Sequence, residues 1–306
     1  MRGTIAALAA AVGGADAVTV LPFSAALGIP DAFARRVARN TQTILVEESN
    51  LHRVADAAAG SGAIEYLTGQ LCEKAWGLFQ EIERAGGSAK ALESGMIQKA
   101  VAKIRAKREA NVARRKEALI GTSDFPDLAE EPVTVLGAFR APPREAPPGQ
   151  PIEKLPRFRL AESFEHLRDL SDAWLARTGE RPKVLLACLG RATDFTARAS
   201  FAKSLFEAGG IEAVAAEGIK SAGDLGKTFA KSGAKLACLC SSDKVYASEA
   251  VGAAKALTAS GASSIYLAGK PGDHAKAWEE ARIGTFLYQG CDTLGLLQDA
   301  YERLGE

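Results

Sequence analysis

The C-terminal half of the chain is predicted to form an α/β domain built on a parallel sheet, and the spacing of its apolar segments carries that prediction. Val184–Leu189 is an almost unbroken apolar run, which is typical of a strand buried on both faces. Further strands are predicted at Glu212–Ala216, Leu236–Ser241, Ser264–Ala268 and Thr285–Gln289, and helices at Ala197–Ala208, Ala222–Lys231, Ser248–Ser260, Ala275–Ala281 and Thr293–Leu304. Strands and helices that alternate at this spacing predict a flavodoxin-like doubly wound fold with five parallel strands.

An amphipathic helix at Ala161–Arg177 is predicted to lead into this domain. Its apolar side is formed by Phe164, Leu167, Leu170, Trp174 and Leu175. Before it, Arg140–Pro156 contains six prolines and has no hydrophobic periodicity, so an extended and semi-rigid linker is predicted there. These features divide the chain into an N-terminal region at 1–139, a linker at 140–160 and a C-terminal domain at 161–306.

The N-terminal region is predicted to be mainly helical, with one early strand. A short helix at Gly3–Val12 stops at a glycine pair, and Ala17–Leu21 has the composition of a strand. A second helix is predicted at Ala32–Ser49, and two long helices follow at Ile64–Ala85 and Met96–Leu119. A single strand cannot close a sheet by itself, so Ala17–Leu21 is expected to need a partner strand.

Composition and charge place the chain among ordinary globular proteins. Its 306 residues leave room for two domains, and 47% of them are hydrophobic while 25% are charged. The net charge of +1 does not point to nucleic acid or to a membrane as a partner. The alanine-rich N-terminus lacks a strong signal-peptide core, and no apolar run is long enough to span a bilayer, so a cytoplasmic location is predicted.

The cysteines are predicted to be mainly core residues, and the histidines are predicted to be surface residues. The five cysteines are Cys72, Cys188, Cys238, Cys240 and Cys291. Three of them fall in predicted strands, and reduced core thiols are favoured over disulfides or a metal site. Cys238 and Cys240 are expected to point to opposite faces of their strand, which would exclude a metal pair. The histidines His52, His166 and His274 are predicted to be surface residues rather than metal ligands.

Two segments of the N-terminal region resemble a known enzyme family. Ala38–Ser49 reads A-R-N-T-Q-T-I-L-V-E-E-S, and Asp56–Ser61 reads D-A-A-A-G-S. Both resemble the end of the catalytic barrel of methylmalonyl-CoA mutases, where A-R-N-T-Q-x-I-L-x-E-E-S precedes D-P-x-G-G-S. The resemblance implies that residues 1–139 are the C-terminal remnant of a (β/α)8 barrel with added helices. A whole barrel takes about 250 residues, so the chain is expected to begin about three-quarters of the way round it, as a truncated product, a mis-assigned start or a subunit fragment.

The segment after the first strand resembles the cobalamin-binding domain of the same family. That family has D-x-H-x-x-G there, in which the histidine is the lower axial ligand of cobalt. Aligned on Asp194, the chain reads D-F-T-A-R-A. Thr196 stands at the histidine position and lacks the imidazole nitrogen that makes histidine a common metal ligand. Ala199 stands at the glycine position, where a Cβ hinders a close backbone approach.

Two later positions of the cobalamin-binding pattern also differ. Family members carry S-x-L at the end of the third strand, and Ser241 matches its serine. Asp243 replaces the apolar residue and puts a charge where the nucleotide tail of the cofactor needs a dry slot. After the fourth strand, Gly269-Lys270 stands in place of a Gly-Gly pair. The predicted remains of the pocket are therefore Asp194, Thr196, Ser241 and Gly269, with no bound cofactor expected although the family uses adenosylcobalamin, and with no metal site.

This chain also lacks the polar residues of the barrel pattern. Where active members read S-L-H-T-N, the chain reads A-V-T-V-L from residue 17. Thr19 and Leu21 replace the histidine and the asparagine, and neither can act as an acid or a base near neutral pH. No catalytic residue is therefore predicted.

The substitutions together resemble the small, non-catalytic subunit of heterodimeric methylmalonyl-CoA mutases. The resemblance implies a structural or regulatory partner for a catalytic large subunit, with self-association as the fallback. The alternative is a fragment of the adenosylcobalamin-dependent isomerase that converts methylmalonyl-CoA to succinyl-CoA, or a carrier that still binds cobalamin.

A basic stretch in the fourth predicted helix allows several partners. Eight cations lie between residues 99 and 116 against Glu109 alone: Lys99, Lys103, Arg105, Lys107, Arg108, Arg114, Arg115 and Lys116. Such a strip could bind the phosphates of coenzyme A or nucleic acid. A solvated face, or a salt-bridging surface toward an acidic partner, is favoured because no aromatic residues interleave with the cations.

Overall fold

The computed structural model describes residues 1–138 and 152–305, which divide into two compact units. The first unit comprises Met1–Gln98 and the described part of Glu131–Lys154, and the second comprises Lys99–Glu130 and Leu155–Glu306. Residues 139–151, which hold most of the predicted proline-rich linker, lie outside the described residues. The linker at 140–160 and the domain boundaries derived from it therefore stay predictions.

The described part of the first unit is helical. Helix α1 spans Arg2–Val12 and α2 spans Ala32–Thr43. Asp31 caps α2, since its carboxylate accepts a hydrogen bond of 2.8 Å from the backbone N of Ala34. The helix continues as a π-helical turn, Ile44–Glu48, and a 3-10 turn follows at Leu51–Arg53. Helices α3 (Gly62–Arg84) and α4 (Gly87–Glu93) complete the unit.

The strand predicted at Ala17–Leu21 is wrong. These residues lie in no sheet ladder, and Leu21 is 73% exposed. The carbonyl of Val18 accepts its hydrogen bond from the side chain of Gln42, at 2.7 Å, instead of from a neighbouring strand. A strand needs a partner to satisfy its backbone, and none is available in the described part of this unit.

Helix α3 exposes its apolar side. None of its residues is buried, and Trp76, which stacks on Phe79 at 5.2 Å, is 61% exposed. Other large apolar side chains on the helix surface are Ile64, Tyr66, Leu67, Leu71 and Leu78. Exposed apolar area on this scale is a feature of surfaces that bind a partner.

The second unit begins with α5, Met96–Ala113, whose first three residues belong to the first unit. The predicted end at Leu119 is wrong, because Arg115 adopts a left-handed conformation with φ +56° and turns the chain. The Arg115 guanidinium then pairs with Asp124 at 2.7 Å and donates to Ser204 at 2.8 Å. The bond to Ser204 attaches this segment to the C-terminal sheet domain, and the second unit includes residues 99–130, which the predicted boundaries place in the N-terminal region.

A five-stranded parallel sheet forms the centre of the second unit, as predicted. Helix α6 spans Glu162–Thr178 and leads into it. The alternating elements that follow are β1 (Lys183–Cys188), α7 (Ala192–Ala208), β2 (Glu212–Ala216), α8 (Ala222–Ser232), β3 (Leu236–Cys240), α9 (Asp243–Ala259), β4 (Ser264–Ala268), α10 (Ala275–Glu280), β5 (Ile283–Leu287) and α11 (Thr293–Leu304). The strand order is β2-β1-β3-β4-β5, which is the flavodoxin-like order.

Two apolar layers cover the sheet, one on each face. One layer joins alternate strand residues to α6, α7 and α11 through Phe164, Phe206 and Leu297. The other joins the opposite strand residues to α8, α9 and α10 through side chains such as Leu225 and Trp278. The continuous apolar run in β1 follows from this arrangement, because both of its faces are buried.

Several element boundaries of the sheet domain differ from the predicted ones, most of them by one residue. The larger differences are that α7 begins five residues before Ala197 and α9 begins five residues before Ser248. The first turns of both helices are polar, and the periodicity of apolar residues does not reveal them. Strand β5 begins two residues before Thr285 and ends two residues before Gln289, and the β4–β5 ladder shifts register between Ile265 and Tyr266.

The prediction that Cys238 and Cys240 point to opposite faces is also wrong. Residues two apart in a strand share a face, and their sulfur atoms lie 3.9 Å apart in the buried layer beside α7. All five cysteines are free, and only Cys72 is exposed. Burial raises the pKa of the Cys188 thiol to about 12. Within the described ranges, no helix is both long enough and apolar enough to cross a lipid bilayer.

Candidate functional site at the carboxyl edge of the sheet

Three loops meet where the neighbouring parallel strands β1, β3 and β4 end. Gly190 follows β1, Ser241 follows β3 and Gly269 follows β4. Ligands of doubly wound sheets bind in the crevice that such loops form, so this edge is the place for a site. The structure brings Asp194, Ser241 and Gly269 to it, as the predicted pocket requires.

Asp194 serves as a helix cap. It lies in the first turn of α7, and its carboxylate accepts hydrogen bonds from the backbone N of Arg191 at 3.0 Å and from the Ser242 hydroxyl at 3.4 Å. The bond from the Arg191 backbone lowers the pKa of Asp194, and the nearby Arg191 charge lowers it further. Gly190, with φ +81°, permits this approach, since a Cβ there would lie 3.1 Å from the carboxylate.

Thr196 does not take part in the cluster of loop residues. It is exposed on α7, and its hydroxyl donates a hydrogen bond of 2.6 Å to the Ala192 carbonyl one turn earlier. This is the local bond that threonine commonly makes inside helices. Ala199, at the family's glycine position, is half-buried and packs against the apolar layer under α7.

Ser241 is completely buried, and its polar groups are all bonded within the protein. Its hydroxyl donates to the Leu189 carbonyl at 2.8 Å, which ties the end of β3 to the end of β1. Its backbone N donates to the Tyr246 hydroxyl at 2.7 Å. That hydroxyl in turn faces the carbonyls of Leu239, at 3.0 Å, and Ala268, at 2.9 Å. Burial raises the pKa of Tyr246 far above its ordinary value, so the phenol stays protonated and joins β3 to β4.

Arg198 is the principal residue of this edge, and the sequence patterns did not identify it. Its guanidinium donates to the Ser241 carbonyl at 2.8 Å and to the Asp243 carboxylate at 2.7 Å. The same group lies over the Tyr246 ring, 5.2 Å from its centre. It also lies against Gly269, where a Cβ would come within 3.1 Å of Nη1. We refer to Arg198, Ser241, Asp243 and Tyr246 as the Arg198 cluster.

Two signals in the sequence bear on Arg198 once the start of α7 is known. Arg198 lies four residues after Asp194, on the same side of the helix. Asp243 places a negative charge at this edge, and an arginine near it can form an ion pair. The pairing joins residues 45 positions apart, so only the folded sheet brings them together.

The residues at this edge do not fit a cobalamin held in the way that the family pattern implies. The Arg198 guanidinium lies beside Gly269, where the resemblance places the nucleotide tail. The hydroxyl of Ser241 is already bonded, and Thr196 offers no imidazole. The adjoining cleft of about 460 Å³ is open and charged rather than dry, with Arg198, Asp243, Lys270, Pro271, Gly272, Asp273, His274 and Trp278 along its walls.

The three histidines lie at the surface. His52, His166 and His274 are all exposed, which confirms their prediction as surface residues. Nδ1 of His52 lies 3.1 Å from the Val46 carbonyl, and His274 lies beside the Trp278 ring. Thr19 and Leu21 are exposed as well. Among the described residues, no three His, Cys, Asp or Glu side chains are grouped as metal ligands.

Comparison with known proteins gives a consistent result over the whole chain. The family model for methylmalonyl-CoA mutase matches residues 1–169. The methylmalonyl-CoA mutase small subunit of Streptomyces virginiae is 49% identical over 305 residues, covering 100% of this chain and 47% of that protein. The small subunit of Propionibacterium freudenreichii subsp. shermanii is 40% identical over 309 residues, covering 100% and 46%. The methylmalonyl-CoA mutase of Rhizobium meliloti is 34% identical over 181 residues, covering 59% and 25%. The chain thus spans about half the length of the small subunits that it matches.

Proposed function

Because the chain belongs to the methylmalonyl-CoA mutase family, we propose that it acts as a small, non-catalytic subunit that pairs with a catalytic large subunit. The family uses adenosylcobalamin. In this proposal the chain binds none, and its role is structural or regulatory. The family's substrate, an acyl-CoA, is then handled by the partner chain.

The Arg198 cluster is the observation that carries this proposal. A nucleotide tail entering beside Gly269 would have to displace the Arg198 guanidinium from the Ser241 carbonyl and from Asp243. The Ser241 carbonyl and the Asp243 carboxylate would then lose their donors, which is costly for a buried carbonyl. This obstacle adds to the missing imidazole at Thr196, so a histidine alone is not expected to restore binding.

A cobalamin titration tests this part of the proposal. The purified chain and the Thr196→His variant are titrated with cobalamin, and the absorbance change that accompanies axial ligand exchange is followed. We expect no change with either protein. Stoichiometric binding by the unaltered chain would favour the alternative function, a carrier or isomerase fragment that holds cobalamin without histidine. Tight binding by Thr196→His with Arg198 intact would show that the guanidinium is no obstacle.

Pairing with a larger chain is supported by the exposed apolar side of α3. Leu67, Leu71 and Trp76 are each more than half exposed, which is unusual for a protein that works alone. A partner that covers them stabilises the folded chain by mass action. Self-association is the fallback, since a second copy can also cover an apolar face. We further propose a cytoplasmic location, in keeping with four buried thiols and no disulfide among the described residues.

Light scattering and thermal unfolding test the pairing. We expect the chain alone to self-associate or to be poorly soluble at micromolar concentration. Addition of a methylmalonyl-CoA mutase large subunit should raise the melting temperature and the yield on co-expression. A monodisperse monomer whose melting temperature does not change on adding that subunit would contradict the proposal.

A further inference from the structure

Helix α5 carries a row of unpaired lysines on its outer surface. Lys99, Lys103 and Lys107 follow one another at four-residue spacing, so they lie on one face of the helix, and all three are exposed. We refer to them as the lysine stripe. None of the three makes an ion pair with any described residue. Like charges at this spacing destabilise a helix, so the stripe does not serve the stability of α5 itself.

The arginines of the same stretch behave differently, because they are used inside the protein. Arg105 pairs with Glu109 at 2.7 Å and lies over the Phe158 ring at 4.7 Å. Arg108 pairs with Glu117 at 3.3 Å, and Arg115 forms the buried bonds described above. The carboxylates near α5 are therefore already occupied by arginines. These arginines therefore have partners within the protein, whereas the lysines of the stripe form no ion pair with the described residues.

The charge of Lys107 acts on Glu117, but that acid is held by other groups. Its carboxylate accepts from the Asn111 amide at 3.0 Å and from Arg108. The Asn111 bond is the main cause of the lowered pKa of Glu117, and the charges of Arg108 and Lys107 add to it. Lys107 therefore lowers the pKa of Glu117 without forming an ion pair with it, and Lys103 and Lys99 lie one and two turns earlier in the helix.

An apolar residue lies beside the lysine stripe and favours a protein as the partner. Ile104 is 59% exposed. It is three residues from Lys107, so its side chain adjoins the stripe on the helix surface. An apolar centre with a charged margin is the usual composition of a protein–protein interface. Nucleic acid would favour stacking aromatic residues, and α5 has none.

The charge of the chain is unevenly distributed. Residues 99–116 hold eight cations and one carboxylate, while the net charge of the whole chain is only +1. The remainder of the chain is therefore net acidic, and attraction of an anionic surface is concentrated on α5. Such a concentrated field steers the encounter with an oppositely charged partner.

We propose that the lysine stripe, with Ile104, is a docking surface for an acidic, partly apolar face of the catalytic large subunit. This inference rests on the proposed function, since it names the part of the chain that meets the proposed partner. The lysines accelerate association, and Ile104 is buried in the complex.

Charge reversal with a matched control tests the docking surface. The association rate constant of the large subunit is measured for the full chain, for Lys99→Glu/Lys103→Glu/Lys107→Glu, and for Lys220→Glu/Lys227→Glu/Lys231→Glu around α8. At about 0.1 M salt, where the Debye length is about 10 Å, the α5 variant should associate at least ~10-fold more slowly. At about 1 M salt, where the Debye length is about 3 Å, the difference should shrink to roughly twofold. The α8 variant should behave like the unaltered chain at both concentrations.

Each outcome of this experiment bears on one proposal. If the unaltered chain forms no complex, the pairing itself is refuted. If the complex forms but both variants associate equally fast, the docking surface is refuted and the pairing stands. A milder variant, Lys99→Gln/Lys103→Gln/Lys107→Gln, guards against misfolding: it should melt no lower than the unaltered chain and still associate slowly. A single-stranded oligonucleotide that binds the stripe more tightly than the large subunit does would also overturn the inference.

Discussion

Replacement of Arg198 by alanine is expected to destabilise the C-terminal unit by about 2–5 kcal/mol, and three contacts produce that value. The bond to the Ser241 carbonyl joins a charged donor to a buried acceptor, at 2.8 Å, and such bonds contribute about 1.5–3 kcal/mol. The ion pair with Asp243 contributes about 0–1 kcal/mol, because the Asp243 side chain is 80% exposed. The contact with the Tyr246 ring adds about 0.5–1 kcal/mol.

Urea unfolding of the full chain measures this effect, and Asp243→Asn provides the matched comparison. The Asp243 variant keeps the Ser241 bond and the ring contact, so it should lose no more than about 1 kcal/mol. The melting temperature of the second unit should fall by roughly 4–20 °C for Arg198→Ala, at about 2–4 °C per kcal/mol. The reasoning fails if Arg198→Ala costs under about 0.5 kcal/mol, or if Asp243→Asn costs as much as Arg198→Ala, because the buried carbonyl would then not be the main partner.

Three further predictions concern buried or capping groups. Tyr246→Phe should cost about 1–3 kcal/mol in urea unfolding, because the buried backbone groups around its hydroxyl lose a partner, and an unchanged midpoint would contradict the hydrogen bonds described for it. The folded pKa of Asp194 is lowered, so its stabilising effect is present above the unfolded pKa of about 3.9 and is lost as the pH falls below it. Asp194→Asn should therefore have a flatter acid limb of stability against pH, and an acid limb identical to that of the unaltered chain would count against the cap. At pH 8 an excess of Ellman's reagent should modify Cys72 alone in the native chain, since burial raises the pKa of Cys188 to about 12, and rapid reaction of a second thiol would contradict the buried layer.

The sheet could be predicted closely from the sequence because burial on both faces leaves a clear pattern. β2, β4 and α11 have the predicted bounds, β3 ends one residue early, and β1 is shifted by one residue at both ends. The starts of α7 and α9 could not be found in the same way, since polar side chains define them. Asp194 was assigned to a loop for this reason, although its carboxylate caps the helix.

The sequence indicates at which edge of the sheet the candidate site lies, but not which side chains contact one another there. The alignment located Ser241 and Gly269 at the correct edge, because the carboxyl ends of parallel strands converge there. An alignment compares each position separately with the family pattern, and so it does not reveal that Arg198 and Asp243 bond to each other. In the first unit, Ala17–Leu21 has the composition of a strand, but composition does not supply the neighbour that a strand requires.

Side chains of the Arg198 cluster hold together the loops that a bound ligand commonly holds together at this edge of a doubly wound sheet. The loops after β1, β3 and β4 diverge, and a bound group that touches all three would hold them together. Here Ser241 bonds the end of β1, Tyr246 bonds the ends of β3 and β4, and Arg198 bonds the Ser241 carbonyl while it lies against Gly269. These bonds join the ends of β1, β3 and β4 through protein atoms alone. A chain that had lost a ligand without such a replacement would leave buried backbone groups unpaired, at about 1–3 kcal/mol each. We therefore expect Arg198→Ala to loosen these loops before it opens them to cobalamin, which hydrogen exchange at Ser241 and Gly269 would detect as faster exchange with no gain of binding.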